Sequence, residues 1–493
     1  MRTIGGYRIR GLLGKGGMGA VYKAEHPALG KLVALKLLAP SEHLAGLVGY
    51  EPLKERFLRE ARIMAGIRHP HVSQVWDYGE DAGRPFFVME YACDSLGSLM
   101  GESYRMEAPS RQLPPVMAMD YAIQTLSGLA RLHHAGIIHR DIKPFNLLLT
   151  EENRIKIIDF GLSKLRGETA RADPDTVKIG TPYYAAPEQA ENPEAAGPAA
   201  DCYAVGVLLW RMLVGMLPPD EMEGDEAKAA CLRRDAFLAR WKDLDPALAQ
   251  QAREFFAVAL HRDPQGRHAT AMAMAADIEA LRERFQHALD AACRLPEEDQ
   301  AVLGLGGLGG LGGLRDLAQG AASSTAVALR SSPLKTGPLR DLEQLELDCL
   351  GRPLVPRRPE FICDARGDTV LDPIHGLRWQ RAGTPYPGTW QEAHAYVAQL
   401  NNTCFAGHDD WRLPTVAELA SCIDPDKEPG VSCADTCFDP HQTTCWSADR
   451  RSFVSAWRLH AAMGFVQWVD MHCQTHTRAV RTESPPHAGK EKT

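Results

Sequence analysis

The chain has 493 residues, 45% of them hydrophobic and 24% charged, with a formal net charge of −8. That length exceeds what one hydrophobic core holds, so two or three domains are expected. The acidic balance argues against a nucleic-acid binder and against a polybasic membrane-surface protein. The start, Met1-Arg2-Thr3-Ile4-Gly5-Gly6-Tyr7, carries no apolar run after its positive charge, so no secretory signal is expected. The uncharged run from Ala301 to Leu314 is 14 residues and rich in glycine, whereas a membrane span needs about 20 apolar residues. The expectation is a cytoplasmic chain with no membrane span.

In chain order, Tyr7–Leu13, Ala20–Glu25 and Leu32–Leu38 read as strands. Residues Pro52 to Gly66 read as a helix, because apolar Leu53, Phe57, Ala61 and Met64 recur at spacings of three and four. Phe86–Glu90 is a further strand. Helical patterns dominate from Pro115, clearest over Val116–Ala135, Pro198–Gly215, Pro246–Leu260 and Ala269–Phe285. Residues 296–340, with Gly-Leu-Gly repeats from Gly304 to Leu314, read as a flexible linker. Residues 361–481 are aromatic-rich again. Six of the nine tryptophans fall between Trp379 and Trp468, and eight of the 12 cysteines follow residue 348, so this is a different domain.

Four segments carry chemistry. The turn Gly14-Lys15-Gly16-Gly17-Met18-Gly19 lies between two strands, and its glycines let backbone amides approach phosphate oxygens. Lys36, in Val33-Ala34-Leu35-Lys36, follows the last loop glycine by 17 residues. A lysine inside an apolar strand requires a partner. Glu60, on the helix, is the best candidate, with Glu55 the alternative. His139-Arg140-Asp141-Ile142-Lys143-Pro144-Phe145-Asn146 offers Asp141 as acceptor of a hydroxyl proton, Lys143 as a cation for the γ-phosphate and Asn146 as a hard oxygen ligand. Asp159-Phe160-Gly161, after the short strand Ile155–Ile158, supplies a second metal-binding oxygen at Asp159.

Taken together, residues 7–285 resemble the catalytic domain of Hanks-type Ser/Thr protein kinases, closest to the bacterial branch. Thr181-Pro182-Tyr183-Tyr184-Ala185-Ala186-Pro187-Glu188 resembles the end of that family's activation loop. Asp201-Cys202-Tyr203-Ala204-Val205-Gly206 resembles the start of its central helix. Arg267 resembles the buried arginine that pairs with the glutamate, here Glu188. The resemblance implies a two-lobed α+β fold, with an N-lobe over 7–90 and a C-lobe over 93–285. It implies ATP and Mg²⁺, with Mn²⁺ as a substitute, and protein substrates. Leu13, Gly14, Gly16 and Gly19 would cover the phosphates. Met89 would be the gatekeeper, Glu90 to Ala92 the hinge that binds adenine, and Val21, Ala34 and Leu148 would sandwich the ring. It also admits a homodimer through the kinase domain. Lys143 resembles the Ser/Thr class. Phe145 departs from the small or acidic residue usual there, which bears on substrate preference.

The segment from Asp159 to Glu188 spans 30 residues. Arg140 precedes the catalytic aspartate and is suited to hold a phosphate on this segment. Thr169 and Thr176 are the expected acceptors. Thr181 resembles a family threonine that contacts the catalytic Asp and Lys, which implies a structural role.

In the last domain, Gly376–Gln380, Trp390–Ala393, Asp410–Thr415, Glu418-Leu419, Cys445–Ser447 and Arg478–Arg481 resemble the small C-terminal domain of bacterial collagen-like adhesins. The resemblance implies a small mixed α/β domain like the C-type lectins, as a sensor or docking module. Its tryptophans read as core. Its cysteines read as reduced thiols, a redox-responsive pair, or a metal site built from Cys422, Cys433, Cys437 and Cys445. Two rival functions stand beside an active kinase: an ATP-binding scaffold that signals by contact, and a ligand-binding module in the C-terminal domain.

Overall fold

A computed structural model describes residues 2–16, 18–102, 108–159, 182–191, 196–219, 224–292, 329–337, 341–356, 358–424 and 437–483. The chain divides into two compact units, Met1–Ala292 and Cys293–Thr493.

The first unit opens with six strands: β1 (Thr3–Ile4), β2 (Tyr7–Gly16), β3 (Gly19–Glu25), β4 (Leu32–Leu38), β5 (Val75–Asp81) and β6 (Arg84–Glu90). They form one sheet in the order β1-β2-β3-β4-β6-β5. Period-2 alternation splits β4 between two faces. Val33, Leu35 and Leu37 join Ile4, Tyr7, Phe86 and Val88 in a core on one side. Ala34 and Lys36 pair across to Met89 and Phe87 and so face the other side.

Helix α1 (Glu42–Val48) leads into α2 (Tyr50–Gly66). The helix α2 buries Leu53, Phe57, Glu60, Ala61 and Met64, so Glu60 lies within the apolar stripe. The stripe packs on the sheet through Phe57 and Phe87, whose ring centroids are 5.0 Å apart.

Below the sheet lie β7 (Asp94–Ser95), α3 (Leu96–Met100), α4 (Pro115–His134), β8 (Leu147–Leu149) and β9 (Ile155–Ile157). They are followed by α5 (Pro187–Glu191), α6 (Pro198–Val214), α7 (Gly224–Leu244), α8 (Pro246–Ala259) and α9 (Ala271–Ala292). Helix α6 is buried on every side from Ala200 to Val214 and is accordingly apolar all round, except at Asp201 and Arg211.

The second unit holds α10 (Asp341–Gln344), β10 (Ile362–Cys363), β11 (Thr369–Asp372), β12 (Leu377–Gln380), α11 (Trp390–Asn402), α12 (Val416–Ala420), β13 (Thr444–Arg450), β14 (Ser455–His460), β15 (Phe465–Asp470) and β16 (Val480–Thr482). One sheet runs β10-β11-β12-β16 and another β13-β14-β15. Capping boxes Thr389/Glu392 and Thr415/Glu418 start α11 and α12. Trp379, Trp411, Trp446 and Trp457 are buried, as the core reading expects, whereas Trp468 is exposed.

Several expectations change. Strand β2 runs on to Gly16, so the glycine-rich turn is a continuation of the hairpin. Strand β5 and helices α1 and α7 had no clear pattern. Helix α9 continues past residue 285 to Ala292. The linker assignment of 296–340 fails at its end. Arg330 forks onto the buried carboxylate of Asp449 at 2.8 and 2.7 Å, and Leu329 and Leu334 pack on the second core. An ion pair and apolar side chains thus bind 329–337 into the C-terminal unit, which begins well before residue 361. The remainder of that linker, with Thr169, Thr176, Thr181 and Cys433, lies outside the described residues. Among the described residues every cysteine is free, no cluster of His, Cys, Asp or Glu could hold a metal, and no helix is long and apolar enough to cross a membrane.

Candidate active site

The site is assembled from the cleft face of the first sheet, from α2, and from two tight segments, 139–146 and 158–159. The β2–β3 hairpin forms its roof. Cβ atoms built on Gly14 and Gly16 would meet nothing within 4 Å, which leaves these backbone positions open to a phosphate. Gly19 is different: a Cβ there would sit 2.1 Å from the Leu37 carbonyl oxygen. Glycine at 19 therefore serves close strand packing. Beneath the hairpin, Ala34 and Met89 are buried, Val21, Leu148, Glu90 and Ala92 are half-buried, and Leu13 is exposed. The Glu90 carboxylate pairs with Lys156 at 3.2 Å.

Lys36 is the centre of charge. Its Nζ donates to Glu60 Oε1 at 2.9 Å and to Asp159 Oδ1 at 2.6 Å. Glu60 is the partner, as its place on α2 suggested. Burial disfavours the ammonium, but the carboxylates of Asp159 and Glu60 more than offset this and raise the pKa of Lys36. Burial also raises the pKa of Glu60, with Lys36 opposing. For Asp159, burial works against ionisation, yet Lys36 prevails and lowers the pKa. Glu60 depends on this lysine, since its Oε2 is buried with no hydrogen-bond partner among the described residues.

The second cluster is local. Lys143 Nζ donates to the Asp141 carboxylate at 3.1 and 3.3 Å. Asn146 Nδ2 donates to the Asp141 backbone oxygen at 2.7 Å and to Oδ2 at 2.9 Å. The amide nitrogen is thereby committed to Asp141, and Oδ1 is the oxygen left to act as a ligand.

Backbone geometry here is unusual. Arg140 and Asp159 have φ of +64° and +59°, a region that residues other than glycine seldom enter. Asp201 holds the first turn. Its Oδ1 accepts from Arg140 N–H at 2.7 Å, and its Oδ2 accepts from His139 N–H at 2.9 Å. His133 Nε2 lies 2.8 Å from the same Oδ2. Gln189 Nε2 donates to the Arg140 carbonyl at 3.0 Å. His139 Nε2 is 3.0 Å from the Ile158 carbonyl, which ties the catalytic segment to the residue before Asp159. The guanidinium of Arg140 donates to Ala196 O at 3.2 Å.

Further out, Arg267 forks onto Glu188 with two contacts of 2.8 Å, the pairing expected for these residues. Glu102 and Arg211 form a second buried pair, each side chain 1% exposed. The Tyr184 hydroxyl donates to Glu102 Oε1 at 3.3 Å. Phe145 is exposed beside the catalytic segment, where a Cβ on Gly97 would strike its ring at 2.6 Å. His133, Gln189, Glu102 and Arg211 were not anticipated. Their partners are 49 to 109 residues away in sequence, and the available signals were the two charged residues, Asp201 and Arg211, within the apolar run of α6.

The protein kinase domain family matches residues 7–278, and the Lcl C-terminal domain family matches residues 368–481. The probable serine/threonine-protein kinase pknA2 of Bifidobacterium longum is 39% identical over 217 residues, covering 44% of this chain and 27% of that protein. The serine/threonine-protein kinase PknL of Mycobacterium bovis is 34% identical over 281 residues, covering 57% of this chain and 66% of that protein. The solved PknI kinase domain of Mycobacterium tuberculosis is 24% identical, with a TM-score of 0.40, covering 57% of this chain and 98% of that one. The chain thus spans 27 to 66% of the length of these two curated relatives. The kinase-domain match takes in more than half of the chain, which belongs to the protein kinase family.

Proposed function

We propose that this protein is a serine/threonine kinase that transfers the γ-phosphate of ATP to protein hydroxyls and phosphorylates itself, as part of bacterial signalling. The observation that carries this reading is two hydrogen-bonded sets, Lys36 with Glu60 and Asp159, and Asp141 with Lys143 and Asn146, on segments tied by the contact of His139 Nε2 with the Ile158 carbonyl. The sequence around these residues has lost no catalytic group, which favours an enzyme over an ATP-binding scaffold.

In this mechanism Lys36, oriented by Glu60, binds the α- and β-phosphates, and the open backbone at Gly14 and Gly16 covers them. Adenine lies between Val21 and Ala34 above and Leu148 below, with Met89 at the back and the Glu90–Ala92 backbone along its edge. Asp141 orients the substrate hydroxyl and accepts its proton as the oxygen attacks the γ-phosphorus. The bond from that phosphorus to the bridging oxygen breaks, and ADP leaves. Lys143, beside Asp141, neutralises charge on the transferred group. The Asn146 amide oxygen and the Asp159 carboxylate, both hard donors, would hold Mg²⁺, or Mn²⁺. The metal supplies charge neutralisation across the phosphates.

The reading includes phosphorylation of Thr169 or Thr176, with Arg140 as the cation that answers it, and a cytoplasmic location, where ATP is available. It includes a homodimer through the kinase domain. Leu29, 75% exposed, and Trp76, 43% exposed, line the outer face of the first sheet and suit such a contact. A Leu29→Asp variant that sediments like the wild type would remove that surface from consideration.

The test of the function is phosphoamino-acid analysis after incubation of the full chain with Mg²⁺ and labelled ATP, with and without a generic basic protein. Label on serine and threonine is expected. Label on tyrosine alone, or none on either protein, contradicts the proposal.

A further inference from the structure

The kinase chemistry leaves unexplained the end of the β13–β14–β15 sheet. Residues Arg451 to Val454 make the turn between β13 and β14, and this turn is held firmly. The N–H groups of Arg451 and Ser452 both donate to the Ser455 carbonyl, at 3.0 and 3.2 Å, and Met471 N–H donates to the Val454 carbonyl at 2.9 Å. The hydroxyls of Ser452 and Ser455 are 2.7 Å apart. On this fixed turn Phe453 is 81% exposed and Val454 53% exposed, and on the neighbouring β15 Trp468 is 48% exposed.

Cations lie on these rings. Lys335 Nζ is 3.3 Å from the Phe453 ring centroid, and the Arg451 guanidinium carbon is 4.2 Å from that of Trp468. Arg450 adjoins them in sequence. The unit has an ample core without these side chains, since Trp379, Trp446 and Trp457 fill it. Single exposed apolar residues need no explanation, but two on one fixed turn beside a third on the adjacent strand, with cations stacked on both aromatic rings, do.

A projecting apolar turn collared by cations is complementary to a flat phase with an apolar interior and an anionic surface. Phenylalanine and valine enter the acyl boundary, tryptophan lies at the headgroup level, and lysine and arginine remain at the charged plane. We propose that the Phe453–Val454 turn, with Trp468, Lys335 and Arg451, is a docking surface for an anionic lipid bilayer. The net charge of −8 opposes approach by any other face. Anionic lipid repels most of such a chain and attracts this basic tip, which fixes the orientation of approach. So few inserted side chains give reversible attachment, not a permanent anchor. The proposal goes beyond phosphotransfer and stands whether or not the first unit is active.

The test is co-sedimentation of the full chain with vesicles of phosphatidylglycerol and phosphatidylcholine in equal parts, beside vesicles of phosphatidylcholine alone. Binding is expected to the anionic vesicles only and should fall as salt rises. Phe453→Ser should weaken it at least tenfold, and Lys335→Ala/Arg451→Ala roughly thirtyfold, from about fivefold per cation near an anionic surface. Val454→Ser, a milder change, carries the comparison if Phe453→Ser alters the melting of the C-terminal unit. Phosphorylation of a soluble substrate should be unchanged in all of them. The proposal is overturned if the wild type stays in the supernatant with anionic vesicles at low salt, or if the variants bind as it does. Retention on a sulfated polysaccharide without vesicle binding also overturns it, because the tip would then recognise a soluble polyanion.

Discussion

Replacing Lys36 with methionine tests the site and its support together. The lysine side chain is 9% exposed and that of Glu60 only 2%, and one Glu60 oxygen has no hydrogen-bond partner among the described residues. Methionine fills the space but leaves a buried carboxylate without its cation. Breaking a buried pair in this way costs about 3–5 kcal/mol. At roughly 2–4 °C per kcal/mol for a domain of this size, melting should fall by roughly 6–20 °C.

Glu60 can limit the loss by taking up a proton. Burial already raises its pKa, and without Lys36 nothing opposes that rise. A carboxyl with a raised folded pKa stabilises the fold when protonated, at low pH, and loses that contribution as pH rises through the folded pKa. The deficit of Lys36→Met should therefore shrink as pH falls. Adding Glu60→Gln should restore most of the melting temperature at neutral pH. Activity should drop about 10²–10³-fold in both variants, because an electrostatic contact to the phosphates is gone. Differential scanning calorimetry across pH, beside a kinase assay, checks all of this. A single variant that melts like the wild type at every pH would refute the dependence of Glu60 on Lys36. Retained activity would refute the role of the lysine.

Glu188→Ala should cost about 3–5 kcal/mol by leaving the guanidinium of Arg267 without its carboxylate. Arg267→Leu should cost less, because Glu188 is 20% exposed and can turn to water, while Arg267 is 0% exposed; chemical denaturation orders the two. Asp201→Asn should lower kcat while sparing ATP affinity. An amide cannot accept both the His139 and Arg140 N–H groups on two oxygens, and steady-state kinetics with a separate nucleotide titration separates these effects. Thr169→Ala/Thr176→Ala should lower activity toward an added protein, and full activity would remove the proposed loop switch.

What was legible in the sequence is what lies close along the chain. Asp141, Lys143 and Asn146 fall within one turn, so their spacing alone places them together. Glu60 was legible because helical spacing puts it among Phe57, Ala61 and Met64, where a carboxylate needs a cation. The role of Asp201 was not legible beyond the start of its helix, since the N–H groups it accepts are 61 and 62 residues away. Residues 329–337 were misread because their composition suits a linker. Their order comes from Arg330 reaching Asp449, 119 positions on. Helix α7 was missed because its apolar residues do not gather on one face, and α1 because it is short.

The central claim is that Asp141 makes this protein a phosphotransferase and not an ATP-binding scaffold. The most direct measurement is the initial rate of phosphorylation by Asp141→Asn and by the wild type, with ATP affinity measured on the same preparations. The account predicts a rate lower by about 10²–10⁴-fold and unchanged ATP affinity. A wild-type rate in Asp141→Asn would contradict it.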